Sequence, residues 1–301
     1  MEDADPRVTL AVAVPSRVAE SPMWHPREQA LYWCDIAGHR LHRWRPAGGD
    51  LSHWDFDCDL ASCAPMQDGG LLLAMRDGLW RFDTGLGRRK RMVAPPYDVS
   101  RERFNDGKCD PQGRFWVGTI YEPRDTACAA LYCFTYGEIR RMAGGITVSN
   151  GLAWSIDGRT LYWADTQAHS VYAFDFEGAS GDLARRRVFA RFPDRSETPV
   201  GGVYGGRPDG AAVDAEDCYW VAMYEGGRLL RIDPQGRLVD EVRLPVCCPT
   251  MPCFGGADLK TLYITTAREK RPPAELAAQP WAGCILSLRL DVPGLPVHVY
   301  E

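Results

Sequence analysis

Four oxygen-bearing side chains stand at a near-constant distance from a recurring strand. Glu20 lies 11 residues before Leu31, Asn105 lies 10 before Phe115, Asn150 lies 11 before Leu161 and Asp209 lies 10 before Tyr219. Two carboxylates and two amide oxygens are hard donors, suited to a divalent cation such as Ca²⁺, Mg²⁺ or Mn²⁺. No histidine stands at these positions, which argues against a His-rich zinc site. Taken singly, Asn105-Asp106-Gly107, Asn150-Gly151 and Asp209-Gly210 also read as simple turns. The shared offset favours a common site, as does Glu20, which makes no such turn. Asp110, Asp157, Asp214 and Asp233 differ: contexts such as Asp110-Pro111-Gln112-Gly113 mark them as turn formers. No G-x-S-x-G elbow, H-E-x-x-H helix or phosphate loop occurs, and His25, close to Glu20, reads as a structural histidine.

What would bring four such distant residues together is an internal repeat. Strands of one type recur at Leu31–Asp35, Leu71–Met75, Phe115–Thr119, Leu161–Asp165, Tyr219–Met223 and Leu262–Thr266, their starts separated by 40, 44, 46, 58 and 43 positions. A polar turn and a second strand follow most of them, as at 39–44, 78–83, 170–176 and 227–233. All-strand repeats of this length are the signature of propeller blades, so the expected fold is all-β, a six-bladed β-propeller forming a single domain over residues 1–301. Equivalent positions of successive blades then converge on the central axis, with Leu60 or Ala61 and Met251 or Pro252 filling the two remaining blades. The run Val8–Val14 reads as a strand, as do Ile285–Leu290 and Val297–Tyr300, so early and late strands are expected to close the ring in one blade. No segment keeps a 3.6-residue apolar period over three turns, and Pro273–Pro280 offers one helical turn. The widest spacing contains a Gly-rich insertion, 194–207, which reads as a flexible rim loop.

Composition excludes several classes. A net charge of −5 with both signs interspersed argues against a nucleic-acid surface, and the basic cluster Arg88–Arg91 reads as a solvated turn. No long apolar stretch follows the acidic Met1–Pro6 segment, so neither a membrane span nor a secretory leader is expected and a cytoplasmic location is. Eleven scattered cysteines without a C-x-x-C pair suggest buried small hydrophobes rather than a disulfide framework. The adjacent Cys247-Cys248, with Cys253 nearby, is a weaker candidate for a soft-metal or redox site.

Several motifs together resemble a known family. Glu20-Ser21-Pro22-Met23-Trp24, Arg103-Phe104-Asn105-Asp106-Gly107-Lys108, Ser149-Asn150-Gly151-Leu152-Ala153-Trp154, Arg207-Pro208-Asp209-Gly210 and Cys253-Phe254-Gly255-Gly256 are similar, in order, to the signature stretches of the SMP-30/gluconolactonase/LRE-like family. The resemblance runs from about Glu20 to the Ala277–Pro280 segment. It implies a propeller holding one catalytic divalent metal (Ca, Zn, Mn, Mg or Fe(II)) and hydrolysis of an aldonolactone, such as xylono-, arabino- or gluconolactone. By motif position it makes Glu20, Asn150 and Asp209 metal ligands and Arg103 and Asn105 substrate contacts, and either Tyr121 or Glu122 supplies a further contact. Asp209 is expected to double as the catalytic base. The implied partner is a small sugar lactone, with no nucleic acid or membrane, acting on a monomer or weak homo-oligomer. Two rival readings are a non-catalytic calcium-binding regulatory protein and a propeller esterase or organophosphate hydrolase.

Overall fold

The computed structural model describes residues 4–199 and 201–301. Met1–Asp3 of the acidic N-terminus and Val200 of the insertion lie outside the described residues. Six four-stranded antiparallel sheets account for almost all of the secondary structure, with one short helix at Pro273–Ala278. The innermost strands are Ala19–His25, Leu60–Pro65, Glu102–Cys109, Ser149–Trp154, Arg207–Val213 and Pro249–Gly255, taken as blades 1 to 6. Each packs against the innermost strands of its two neighbours, and that of blade 6 packs against that of blade 1, closing the ring. The molecule is a six-bladed β-propeller.

Burial falls from the axis outward. Ala19–His25 and Ala30–Asp35, the first two strands of blade 1, are buried at every residue, whereas the outermost strand of blade 4, Leu183–Arg191, is mostly exposed. The recurring sequence strand is thus the second of each blade, covered on both faces. Its tryptophans, Trp33, Trp116, Trp163 and Trp220, are among the largest fully buried side chains. The indole N–H of each of these four finds an acceptor. Trp116 and Trp220 donate to Asp110 and Asp214, both at 2.8 Å, while Trp33 and Trp163 donate to Ser16 (3.2 Å) and Ser149 (2.6 Å). Asp110 and Asp214 also accept backbone N–H groups of their own turns, which is the structural role expected of them.

The blade ends depart from the sequence expectation in two places. Arg88–Val93 is the outermost strand of blade 2 rather than a turn; its exposed edge accommodates the charges, and Arg89 stacks over Trp80 at 4.6 Å. Blade 6 takes its outermost strand, Thr9–Val12, from the N-terminus, paired with Ile285–Arg289, so the ring closes as expected. Residues 297–300, by contrast, join no sheet. The chain after blade 6 crosses beneath the propeller, bridging Gly294 to Asp214 of blade 5 and Tyr300 to Met66 of blade 2. Among the described residues no helix is long and apolar enough to cross a membrane, and all eleven cysteines are free.

Candidate functional site

The inner strands carry their axial residues on an irregularity shared by all six blades. Pairing with the second strand slips between Glu20 and Met23, Phe104 and Gly107, Asn150 and Ala153, and Pro208 and Ala211. Such bulges re-aim side chains. In blade 1 the next residue, Ser21, has φ 45°, a costly conformation for a side-chain-bearing residue, and in blade 4 Gly151 takes the equivalent φ of 63°. A Cβ at Gly151 would strike the Tyr219 hydroxyl, which instead donates to the Gly151 carbonyl at 2.8 Å.

Carboxylates at the ends of second strands tie down the approach to two of these bulges. Asp35 accepts the N–H groups of Arg17 and Val18, both at 3.0 Å, just before Glu20. Asp165 accepts those of Thr147 (3.1 Å) and Val148 (3.2 Å), just before Asn150. The outcome is that Glu20, Asn105, Asn150 and Asp209 all line one cavity of about 810 Å³ at the upper end of the channel. Leu60 and Ala61 do not line it. In blade 6 Thr250 does, while Met251 and Pro252 line a lower cavity, because the slip there falls earlier relative to the second strand, between Pro249 and Met251.

Hydrogen bonds fix the amides. Asn150 donates through Nδ2 to Thr166 Oγ1 at 2.8 Å, and that hydroxyl donates to the Pro208 carbonyl at 2.7 Å. The Asn150 Oδ1 is thereby turned to Asn105, whose Nδ2 donates to it at 2.8 Å and to the Ser149 carbonyl at 2.8 Å. Arg103 Nη1 donates to Asn105 Oδ1 at 3.0 Å, and its Nε lies 3.7 Å from Glu122.

The carboxylates are less well served. Glu20 accepts the Ser21 N–H at 3.0 Å, but Asp209 Oδ1 is buried with no hydrogen-bond partner among the described residues. Asp106, which was not expected at the site, is buried below them, and its Oδ1 also lacks a partner. Burial first, and then repulsion from Asp106, raises the Glu20 carboxyl to about 8. Burial and then Glu20 and Asp106 push Asp209 well above its ordinary value. Carboxyl groups held apart from water and crowded with like charge call for a cation. Glu20, Asn150 and Asp209 offer oxygen donors that could hold one, and the Asp209 Oδ1 is left without a partner among the described residues. Lys108 reaches the same axis from below, donating to the Ala211 carbonyl, with burial lowering its pKa and Asp106 opposing that.

Of the two expected contacts after the blade 3 strand, Glu122 lines the cavity and Tyr121 does not. Strand alternation explains the correction: Ile120 faces the cavity, so Tyr121 turns into the core beside Trp116 and Leu131, its hydroxyl held by Arg101. Glu122 is bound by Arg76 at 2.8 Å. The structure adds Asp59, Arg76, Thr166, Arg207, Tyr224, Glu225 and Arg271 to the walls. Arg207 carried a readable signal, since it precedes Asp209 by the same two residues that separate Arg103 from Asn105. Cys247 and Cys248 come together with Glu275, their ligand atoms within 4.8 Å of one another, but Arg271 already holds both Glu275 oxygens, at 2.8 and 2.6 Å. Cys253 is elsewhere, lining the lower cavity. His25 accepts the Glu28 N–H at 3.2 Å and is structural.

The SMP-30/gluconolactonase/LRE-like family model matches residues 18–268. The chain belongs to this family. It is 42% identical over 286 residues to a 6-deoxy-6-sulfogluconolactonase of Pseudomonas putida, covering 94% of each chain. To regucalcin of Danio rerio it is 35% identical over 300 residues, covering 98% of each. Among solved structures it is similar to a calcium-binding protein, regucalcin, of Agrobacterium tumefaciens, with a TM-score of 0.90, 26% identity and coverage of 97% of this chain and 96% of that one. Lactonase relatives make it a member of a family of sugar lactone hydrolases.

Proposed function

We propose that the protein hydrolyses an aldonolactone, such as xylono-, arabino- or gluconolactone, to the aldonic acid, using one divalent cation held by Glu20, Asn150 and Asp209. The observation that carries this reading is the unpartnered Asp209 oxygen at the floor of an open polar cavity, beside two further oxygen donors from other blades. A cation there supplies Lewis-acid polarisation of the lactone carbonyl, an effect worth several kcal/mol. The candidates are Ca, Zn, Mn, Mg and Fe(II), with all-oxygen donors suiting the harder ions best.

The chain's own groups divide the remaining work. Asp209 orients the attacking water and accepts its proton, which a carboxylate at that position can do as general base. Asn105 holds the Asn150 oxygen in place and presents its remaining surface to the cavity. Arg103, its guanidinium anchored on Asn105, is placed to donate to a lactone hydroxyl or to the oxyanion that develops on the carbonyl. Glu122 faces the same space and accepts from a sugar hydroxyl. All these groups come from one chain, so the reading needs no second copy. The unpaired cysteines fit a reducing, cytoplasmic compartment.

Acid release from the three lactones, measured with and without added Ca²⁺, Mn²⁺, Mg²⁺ or Zn²⁺, tests the proposal. Metal-stimulated release that chelator abolishes and Asp209→Ala removes is the expected result; full activity of Asp209→Ala in chelator would sink it. A protein that binds Ca²⁺ tightly and leaves every lactone intact would favour the regulatory role instead.

A further inference from the structure

The mouth of the upper cavity is unevenly charged. On the side of blades 2 and 3, Arg76 and Arg103 meet Asp59 and Glu122: Arg76 lies 2.6 Å from Asp59 and 2.8 Å from Glu122, and Arg103 lies 3.7 Å from Glu122. With Arg124, which also lines this wall, three cations there answer two carboxylates. On the side of blades 5 and 6, three guanidinium groups, those of Arg195, Arg207 and Arg271, converge on the single carboxylate of Glu225 at 3.0, 3.2 and 2.8 Å. Arg271 continues to Glu275, and Lys270 lines the same wall with no carboxylate in ion-pair range among the described residues. With Glu269, which lines the same wall and is bound by Arg17, five cations there face three carboxylates, a surplus of two against one on the opposite side. With Glu20 and Asp209 neutralised by a divalent cation, this surplus is the field that an entering ligand meets.

Arg207 is the group best placed to use it. It starts the innermost strand of blade 5 two residues before Asp209, as Arg103 stands two before Asn105, while Val18 and Val148 hold that position in blades 1 and 4. Its guanidinium lies over the Tyr224 ring, 5.3 Å from the centroid, which fixes its plane. Its Nε is buried and has no acceptor among the described residues. That atom is closed off from solvent, but the side chain keeps 24% of its surface exposed at the cavity wall, where an anionic oxygen can meet the rest of the guanidinium. Two residues along an extended strand span roughly 7 Å. That is comparable with the reach of a six-carbon lactone from its carbonyl to the far end of the sugar.

We propose that Arg207, backed by Lys270 and Arg271, forms an anion subsite, so that the lactone taken by this site carries a sulfonate, phosphate or carboxylate on the end of the sugar remote from the ester. This rests on the lactonase reading for its catalytic part, and the binding part stands on its own.

Two measurements on the metal-loaded protein test it. In calorimetric titrations, 6-phosphogluconate is expected to bind at least about tenfold more tightly than gluconate, and Arg207→Gln to erase most of that advantage. In steady-state assays, kcat/KM for 6-phosphoglucono-1,5-lactone is expected to exceed that for glucono-1,5-lactone by a similar factor, carried mainly by KM. That ratio should collapse in Arg207→Gln and in about 0.5 M salt. Lys270→Gln, at a more open position, should lower the same ratio to a smaller degree. Equal binding of 6-phosphogluconate and gluconate overturns the subsite, as does an Arg207→Gln variant of unchanged melting temperature that keeps the full ratio. Inorganic phosphate that competes as well as 6-phosphogluconate would mark a free-anion site and overturns the substrate assignment. Preferential binding of 6-phosphogluconate with no turnover of either lactone would leave the subsite standing and remove the lactonase reading.

Discussion

The two ends of the central channel are made by the same six inner strands, yet they are chemically opposite. The upper end gathers Glu20, Asn105, Asn150 and Asp209 around an open cavity and leaves a carboxylate oxygen unpaired. The lower end is lined by Met23, Ala64, Ala153, Val213, Met251 and Phe254 around about 270 Å³, and the C-terminal segment 295–298 closes it. Lys108 stands between them, its ammonium on the Ala211 carbonyl. The difference teaches that one set of strands separates two tasks along its length. Above the bulge, buried charge is left unsatisfied; below it, apolar contact and backbone bonding hold the ring.

If that division holds, substitutions at the upper end cost turnover and those at the lower end cost stability. The largest effect is expected at Asp209: Asp209→Asn should lower kcat by on the order of a thousandfold in a metal-saturated assay, with little change in the midpoint of denaturant unfolding. A comparable loss of stability would break the comparison. Next is Tyr300, buried at the lower end and stacked on Phe134 with centroids 5.3 Å apart, while its backbone exchanges bonds with Pro65 and Gln67. Tyr300→Ala should cost about 3 kcal/mol in urea unfolding, with KM unchanged. Lys108→Met tests the boundary. It strips Asp106 of its nearest favourable charge and should cost on the order of 2 kcal/mol in the metal-free protein.

A smaller effect separates the ends by pH. Burial and then Asp106 raise the Glu20 carboxyl from 4.5 to about 8, so between those values the native state keeps a proton that the unfolded chain has released. The stability linked to this group is fully present below about pH 4.5 and is lost as pH rises through about 8. Metal-free wild type should therefore lose melting temperature relative to Glu20→Gln by a few degrees, roughly, between about pH 5 and about pH 8. Saturating divalent cation should reverse the order. The smallest expected change is at Glu122, already shared with Arg76: Glu122→Gln should raise KM about threefold with kcat nearly constant.

Much of this was legible from the chain alone, for a physical reason. The second strand of each blade is covered on both faces and so must be rich in apolar and aromatic residues, which makes Leu31–Asp35 and its five counterparts visible as a repeat. The axial residues then follow by a near-constant offset. What stayed hidden depends on one-residue shifts and on long connections. The slip in blade 6 puts Thr250 in the cavity where the offset pointed to Met251 or Pro252, and alternation puts Ile120 there instead of Tyr121. Asp106 read as part of an Asn-Asp-Gly turn, although the fold buries it beneath two other carboxylates. The meeting of Arg195, Arg207 and Arg271 at Glu225 joins an insertion, two strand ends and a segment before the helix, and no local pattern announces it.

The four residues Thr9–Val12 complete blade 6 by pairing with a strand some 280 positions away; Thr9 Oγ1 and Ser287 Oγ, for instance, are 3.0 Å apart with a separation of 278. A contact of such span is among the last that a folding chain can make, because the intervening loop must be ordered before its closure is rewarded. On the ribosome the consequence is an inversion of order. The segment made ahead of blade 1 finds its partner only once Ile285–Arg289 has been made, and until then the sixth blade lacks the strand that covers its outer edge.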